Sequence, residues 1–413
     1  MDARIAFLLA ESKPHPNLAL VQRAAGQFVR VWQALWAAHG DGGGGAADYR
    51  AALRGFMATV QQHATGITLK NELTLVGALV SQIGKVALTL PELAPGPTAT
   101  AAPAVAVAMP ARPAAAPPRG PEPAADPVFE RPLFLVSAPR SGSTLLFETL
   151  AQAPGLYTIG GESHALIEGI AELSPVSNGL GSNRLTAAQA APQVAARLRE
   201  RFQAALRDRA GRPPAPGQRL RMLEKTPKNA LRVPFLASVF PEARFLFLYR
   251  ELSEVLGSML DAWSSGRFRT YPGLPGWPGP DWSLLLVPGW QQLAGRPLPE
   301  VVAGQWEATL RVLLDDLAAL PPGRVIATRY DRFLADPQAE ARRLCEAAGI
   351  AWDRQLDGPL PPARYTLSPP APGKWRRHAA LLEPLLPRLA PLAARAEALV
   401  AGTDSTRPAV AVA

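Results

Sequence analysis

The apolar positions change their period along the chain. Between residues 17 and 90 they recur every three or four positions, the spacing of one face of an α-helix. Asn17 can cap a first helix in which Val21, Ala24, Phe28, Val31, Trp32, Leu35 and Trp36 share a face. The glycine run Asp41–Gly45 breaks it. Tyr49, Leu53, Phe56, Met57 and Val60 start a second helix, and Leu75, Leu79, Ile83 and Val86 mark a third. Past Pro132 the pattern becomes short apolar runs alternating with helical stretches. Pro132–Ser137, Ala243–Tyr249 and Val325–Thr328 read as strands. Thr144–Ala151, the segment through Val255, Met259 and Trp263, and Glu300–Leu320 read as helices. Unbroken apolar strands alternating with helices predict an α/β fold, its parallel sheet covered on both faces and its sites at the carboxyl ends of strands.

Composition locates the joint between the two patterns. Residues 91–127 hold eleven of the 44 prolines and thirteen alanines, a segment that buries no core and acts as an extended spacer. The expected organisation is a small all-α N-terminal domain over 1–90, a Pro/Ala-rich linker over 91–127, and an α/β domain over 128–403. Three short helices make a marginal core: the plain reading is a small bundle with Trp32 and Trp36 inside it, and the alternative is self-association into a homo-oligomer or protein docking through residues 1–90.

Charge and rare residues narrow the chemistry. The 413 residues carry 43 Lys and Arg against 34 Asp and Glu, a net charge of +9 that favours an anionic partner. Cys345 is the single cysteine, which excludes a disulfide framework and a cysteine-based zinc cluster. None of the five histidines (His15, His39, His63, His164, His378) stands at metal-ligand spacing from another, so no protein-held metal is expected. The first ten residues are too short and too weakly basic an apolar run for a signal peptide, and no stretch approaches 18 apolar residues. A cytoplasmic protein without a membrane span is the expectation.

The chemistry-bearing motifs lie at the predicted strand ends. Ser137-Ala-Pro-Arg-Ser-Gly-Ser-Thr-Leu145 runs from a strand into a helix, where backbone amides and the helix N-terminus form an anion cradle. Arg140 adds a charge, and Ser141, Ser143 and Thr144 add hydroxyls. A nucleotidase P-loop has Gly-Lys-Ser/Thr here; this chain has Gly142-Ser-Thr, with the cation before the glycine, which argues against ATP or GTP hydrolysis. Arg250 ends a strand and Ser258 follows eight residues on, about two helical turns away, so the two can grip a further phosphate. The plainer alternatives are an ordinary βα turn and a surface ion pair. Arg221-Met-Leu-Glu-Lys-Thr-Pro-Lys-Asn229 places Lys225 just after another short apolar run.

Together these segments resemble the PAPS-dependent sulfotransferase family, over about residues 131–400 and in the family's order. Pro139–Thr144, extending to Leu145, resembles the 5′-phosphosulfate loop, and Arg250 with Ser258 the 3′-phosphate site. Glu224-Lys-Thr-Pro227 resembles the catalytic lysine segment. Tyr330-Asp-Arg-Phe-Leu-Ala-Asp-Pro337 resembles the late tyrosine–acidic motif, and Gly373-Lys-Trp375 the C-terminal glycine–tryptophan element, which brings Tyr330 and Lys374 into the expected nucleotide site. The resemblance implies a P-loop-like sheet, PAPS as co-substrate, PAP as product, and metal-independent in-line transfer to a hydroxyl or amine. A sulfuryl group carries less charge than a phosphoryl group, so fixed cations, here Arg140 and Lys225, can stabilise its transfer.

The proton acceptor departs from the commonest family pattern, since Pro227 occupies the position where many members carry a histidine. The protein-tyrosine type is similar in using a glutamate about twenty residues after the loop, and here Gly160-Gly-Glu-Ser-His164 falls there. Glu162 is therefore the expected base and His164 the second candidate; the plain alternative is that Glu162 favours the first turn of the helix it opens. From Trp263 to Trp290 four tryptophans and five prolines predict an irregular wall or lid over an apolar or aromatic acceptor, small or carrier-bound, unless the loop merely packs on its own rings. Competing readings are an NTP-dependent kinase or ATPase and a basic nucleic-acid-binding or scaffold protein with a silent sulfotransferase fold. The missing Gly-Lys pair weighs against the first. The lack of an RNA-binding aromatic motif or helix-turn-helix pattern weighs against the second.

Overall fold

Alternate residues of the central strands feed two separate cores. The computed structural model describes residues 126–358, 360–367 and 371–405; the helices expected before residue 90 and most of the spacer lie outside the described residues. The strands are β1 (Leu133–Val136), β2 (Leu156–Tyr157), β3 (Arg221–Lys225), β4 (Arg244–Tyr249), β5 (Arg269–Tyr271), β6 (Trp282–Ser283) and β7 (Val325–Arg329). In β4, Phe245, Phe247 and Tyr249 enter one core while Leu246 and Leu248 enter the other. With both faces covered, Leu133–Val136 of β1 and residues 245–249 of β4 are apolar throughout, which is why these runs show no polar alternation.

The helices that cover the faces are α1 (Ser143–Leu150), α2 (His164–Glu168), α3 (Pro192–Ala205), α4 (Val233–Val239), α5 (Leu252–Ser265), α6 (Leu298–Ala318), α7 (Tyr330–Ala335), α8 (Pro337–Ala348), α9 (Ala379–Leu382) and α10 (Leu386–Ser405). The smaller core joins β-strand leucines to α1, α7 and α8 through Leu146, Phe147, Phe333 and Leu344. The larger one takes Leu198, Phe235, Leu256, Trp306 and Leu389 from α3, α4, α5, α6 and α10. The helices predicted at Thr144–Ala151 and Glu300–Leu320 agree with α1 and α6 to within about two residues at their ends, as end fraying allows.

Among the described residues, five strands form a parallel sheet in the order β2-β3-β1-β4-β7, and β5 and β6 form a separate antiparallel pair. β1 lies between β3 and β4, so the loop leaving it opens where the connections diverge to either side, the usual ligand position in such sheets. The loops after β1, β3, β4 and β7 therefore emerge at one edge. No helix among the described residues is long and apolar enough to cross a membrane.

Candidate active site

One large cavity, about 1050 Å³, opens at this edge, at the upper end of the roughly 300–1,000 Å³ common for ligand sites. Its lining includes Arg140, Gly142, Ser143, Thr144 and Leu145 from the loop after β1, and Arg250, Ser258, Tyr330 and Lys374 from elsewhere. Glu162 and His164 line it as well. Two expected residues are placed differently. Ser141 is buried beneath the loop and is not part of the lining, because the turn directs its side chain inward. Lys225 is the last residue of β3, inside the strand rather than after it, and its side chain is only 3 % exposed behind Glu162.

The loop after β1 is built around Gly142, whose φ of 92° is left-handed. A Cβ there would stand 2.2 Å from the Tyr330 ring, so glycine is required by both backbone and space. Gly142 caps α1 without a side chain, and no acidic residue stands in the first turn of α1. The positive end of the helix thus faces the cavity without a protein carboxylate in its first turn. Arg140 is also left-handed, φ 66°. Its guanidinium donates to the carbonyl of Tyr365 at 3.2 and 3.3 Å and lies 4.5 Å over the Phe268 ring. Its Nε is buried with no hydrogen-bond partner. Burial, and then the nearby charge of Arg250, lower its pKa from the ordinary value.

Glu162 joins the cation and the histidine. Its Oε1 accepts from Lys225 Nζ at 2.5 Å and its Oε2 pairs with His164 Nε2 at 2.8 Å. Burial alone would push this carboxyl up, but His164 and Lys225 overrule it and hold it at about 2. Ser163, not Glu162, occupies the cap position of α2, so the plain reading of Glu162 as a helix-start residue does not describe its contacts. Lys225 also donates to Thr144 Oγ1 at 3.2 Å and lies 5.7 Å from the Tyr365 ring. A short stretch that includes Arg364 and Tyr365 thus spans the site, with Arg364 donating to the Gly160 carbonyl at 3.2 Å.

At the other end, Arg250 does form an ion pair, with Glu254 at 3.3 Å, but in the cavity wall rather than at the open surface. Arg250 also sits 4.9 Å over the Tyr330 ring and donates to the Arg140 carbonyl at 3.2 Å. Glu254 Oε1 accepts from the Gly373 amide at 2.6 Å. Three residues further along α5, a Cβ on Gly257 would meet Trp375 Cβ at 2.8 Å and Cα at 3.0 Å. Asp261 then accepts from Arg377 and from His378 Nε2. Positions 254, 257 and 261 share one helix face, so a single stripe of α5 carries both Arg250's partner and the dock for residues 373–378.

Sequence reasoning missed Glu254, Tyr365 and Lys228. Lys228 lines the cavity, but its ammonium is held by both oxygens of Glu168, at 2.9 and 2.8 Å, and by Tyr271 Oη at 3.2 Å. The four tryptophans of 263–290 pack on one another at centroid distances of 4.9–6.4 Å, as the self-packed alternative has it. The wall this stretch supplies comes instead from Phe268, Thr270, Leu284 and Leu285.

The model of a family described as the sulfotransferase family matches residues 132–277 and 287–354, just over half of the chain. A sulfotransferase from Alicyclobacillus acidocaldarius is similar at 18% identity, covering 66% of this chain and 96% of its own, with a TM-score of 0.38. A sulfotransferase from Mycobacterium tuberculosis is similar at 15% identity, covering 89% and 94%, with a TM-score of 0.37. A search of curated proteins returns no match.

Proposed function

The chain belongs to the sulfotransferase family, and from that premise we propose that it moves a sulfuryl group from PAPS to a hydroxyl or amine of an acceptor by metal-independent in-line transfer. The observation that carries this reading is the convergence, in one cavity, of the loop after β1, Arg250 with Ser258, Lys374 and the Glu162 carboxylate. The residues fit a polyanionic nucleotide: Arg140 Nε is buried without a partner, and the Gly142 turn leaves the first turn of α1 open to an anion.

PAPS supplies the activated sulfuryl group. The amides of residues 141–145 and the guanidinium of Arg140 hold the 5′ end; Arg250, Ser258 and Lys374 hold the 3′-phosphate, with Tyr330 filling the space between loop and Arg250. Lys225 changes partner, leaving Glu162 for the oxygens that gain charge during transfer. Glu162, ionised at rest, then loses the cation that depresses its carboxyl, becomes the stronger base and takes the acceptor's proton on Oε1. His164 keeps the other oxygen fixed.

Calorimetric titration with PAP tests the reading. Wild-type protein is expected to bind, and Arg250→Ala to bind about 10- to 100-fold more weakly, the worth of a charge-assisted contact. No heat from the wild-type protein would overturn the proposal.

A further inference from the structure

Glu224 precedes Lys225 in β3, yet the two side chains leave opposite faces of the sheet. Lys225 lies on the face of Leu223 and the smaller core, Glu224 on that of Met222 and the larger one. Glu224 is wholly buried, and three uncharged donors meet it. Ser163 Oγ and Thr226 Oγ1 reach Oε1 at 2.7 and 2.5 Å, and Asn229 Nδ2 reaches Oε2 at 2.6 Å. Thr226 Oγ1 in turn accepts the Ser163 amide at 2.7 Å.

Ser163 is thereby tied to the end of β3 through both its amide and its hydroxyl. Its chain neighbours are Glu162 and His164. The stretch before α2 has no strand or helix of its own between Thr158 and Ser163, so regular backbone pairing does not fix where Glu162 stands. A buried carboxylate that engages only uncharged partners is expensive, and burial pushes the Glu224 carboxyl up from its ordinary value. A purely apolar side chain would fill the same space in the core without that cost.

We propose that Glu224 is a positioning residue: through Ser163 and Thr226 it sets Glu162 against Lys225 and so pre-assembles the acid–base end of the cavity from the opposite face of the sheet. The role assigned to that pair rests on the sulfuryl-transfer reading; the placement of Glu162 does not.

The test is residue-resolved amine labelling of the full chain with acetic anhydride, read by mass spectrometry. Lys228, held by Glu168 and Tyr271 rather than by Glu162, serves as the internal reference. Ser163→Ala and Glu224→Ala are each expected to speed acetylation of Lys225 about tenfold relative to Lys228, since loosening Glu162 uncovers the ammonium. In the double variant the ratio stays at the single-variant level, because one tie is broken twice. Glu224→Gln, which keeps an acceptor oxygen, restores the wild-type ratio to within about twofold. Should Glu224→Ala fail to fold, the milder Ser163→Ala decides. An unchanged Lys225-to-Lys228 ratio in Ser163→Ala overturns the assignment, as does acceleration at both lysines alike, which reports general loosening. PAP calorimetry separates the two readings: a wild-type chain that binds no PAP overturns the sulfotransferase reading and leaves the labelling ratio standing.

Discussion

The two ends of the cavity handle charge in opposite ways. At the Lys225 end the ammonium is paired with Glu162 at rest, Glu162 is also held by His164, and Glu224 behind them takes three uncharged donors. At the Arg250 end the guanidinium pairs with Glu254, whose other oxygen takes the Gly373 amide, and Lys374 and the N-terminus of α1, which no side chain caps, line the same cavity. The first arrangement suits a step in which partners are exchanged, since a cation and a base wait beside each other in neutralised form. The second suits binding, because Arg250 and the open helix N-terminus present positive charge to an arriving polyanion. The difference also lies in how each end is built. The Lys225 end hangs on adjacent residues of one strand and one short segment, whereas the Arg250 end needs residues 373–378 to dock on α5.

If the ends divide the labour in this way, substitutions should separate turnover from nucleotide affinity. The largest effect is expected for Lys225→Ala, which removes the cation at the transferring group. PAP release from PAPS in the presence of a hydroxyl acceptor should fall by about 1,000-fold, while PAP affinity by calorimetry changes little. An equal loss in both would erase the distinction. Gly257→Ala strikes the other end: a methyl group there must displace the Trp375 backbone, and with it the Gly373 contact to Glu254. PAP affinity is expected to fall about tenfold, with Lys225 labelling unaltered. A separate effect is on stability. Glu162→Gln leaves the buried Lys225 ammonium without its carboxylate and should cost about 3 kcal/mol at neutral pH in denaturant titrations. Because folding holds the Glu162 carboxyl at about 2 against an ordinary 4.5, its contribution is complete above about 4.5 and is lost as pH falls towards 2. The gap between wild type and variant should therefore close across that acid range.

Legibility in the sequence followed the same division. β1, β4 and β7 were readable because both faces of their sheet are covered, leaving unbroken apolar runs such as Phe245–Tyr249. The loop at Gly142 was readable because an anion cradle between strand and helix demands small residues in a short span. β3 was harder, since Arg221 opens it and Glu224-Lys225 closes it; the burial of Glu224 depends on hydrogen bonds from Ser163 and Asn229 and that of Lys225 on Glu162, which no local periodicity reports. β2, two residues long, carries too little pattern to register. Tyr365 meets Arg140 and Lys225 only through the fold, and the tryptophan-rich stretch announced aromatic content without saying that its rings would face one another.

The seating of Tyr330 against Gly142 constrains how such a chain can drift. A side chain at position 142 meets two obstacles of different kinds, the ring at 2.2 Å and a backbone turned to φ 92°. Trimming the ring opens the space yet leaves the left-handed turn, and relaxing the turn leaves the ring in the way. No single compensating change at position 330 makes a larger residue acceptable at 142. The loop is therefore an all-or-none character: a lineage can forfeit it in one step, but a second change at Tyr330 does not lead back.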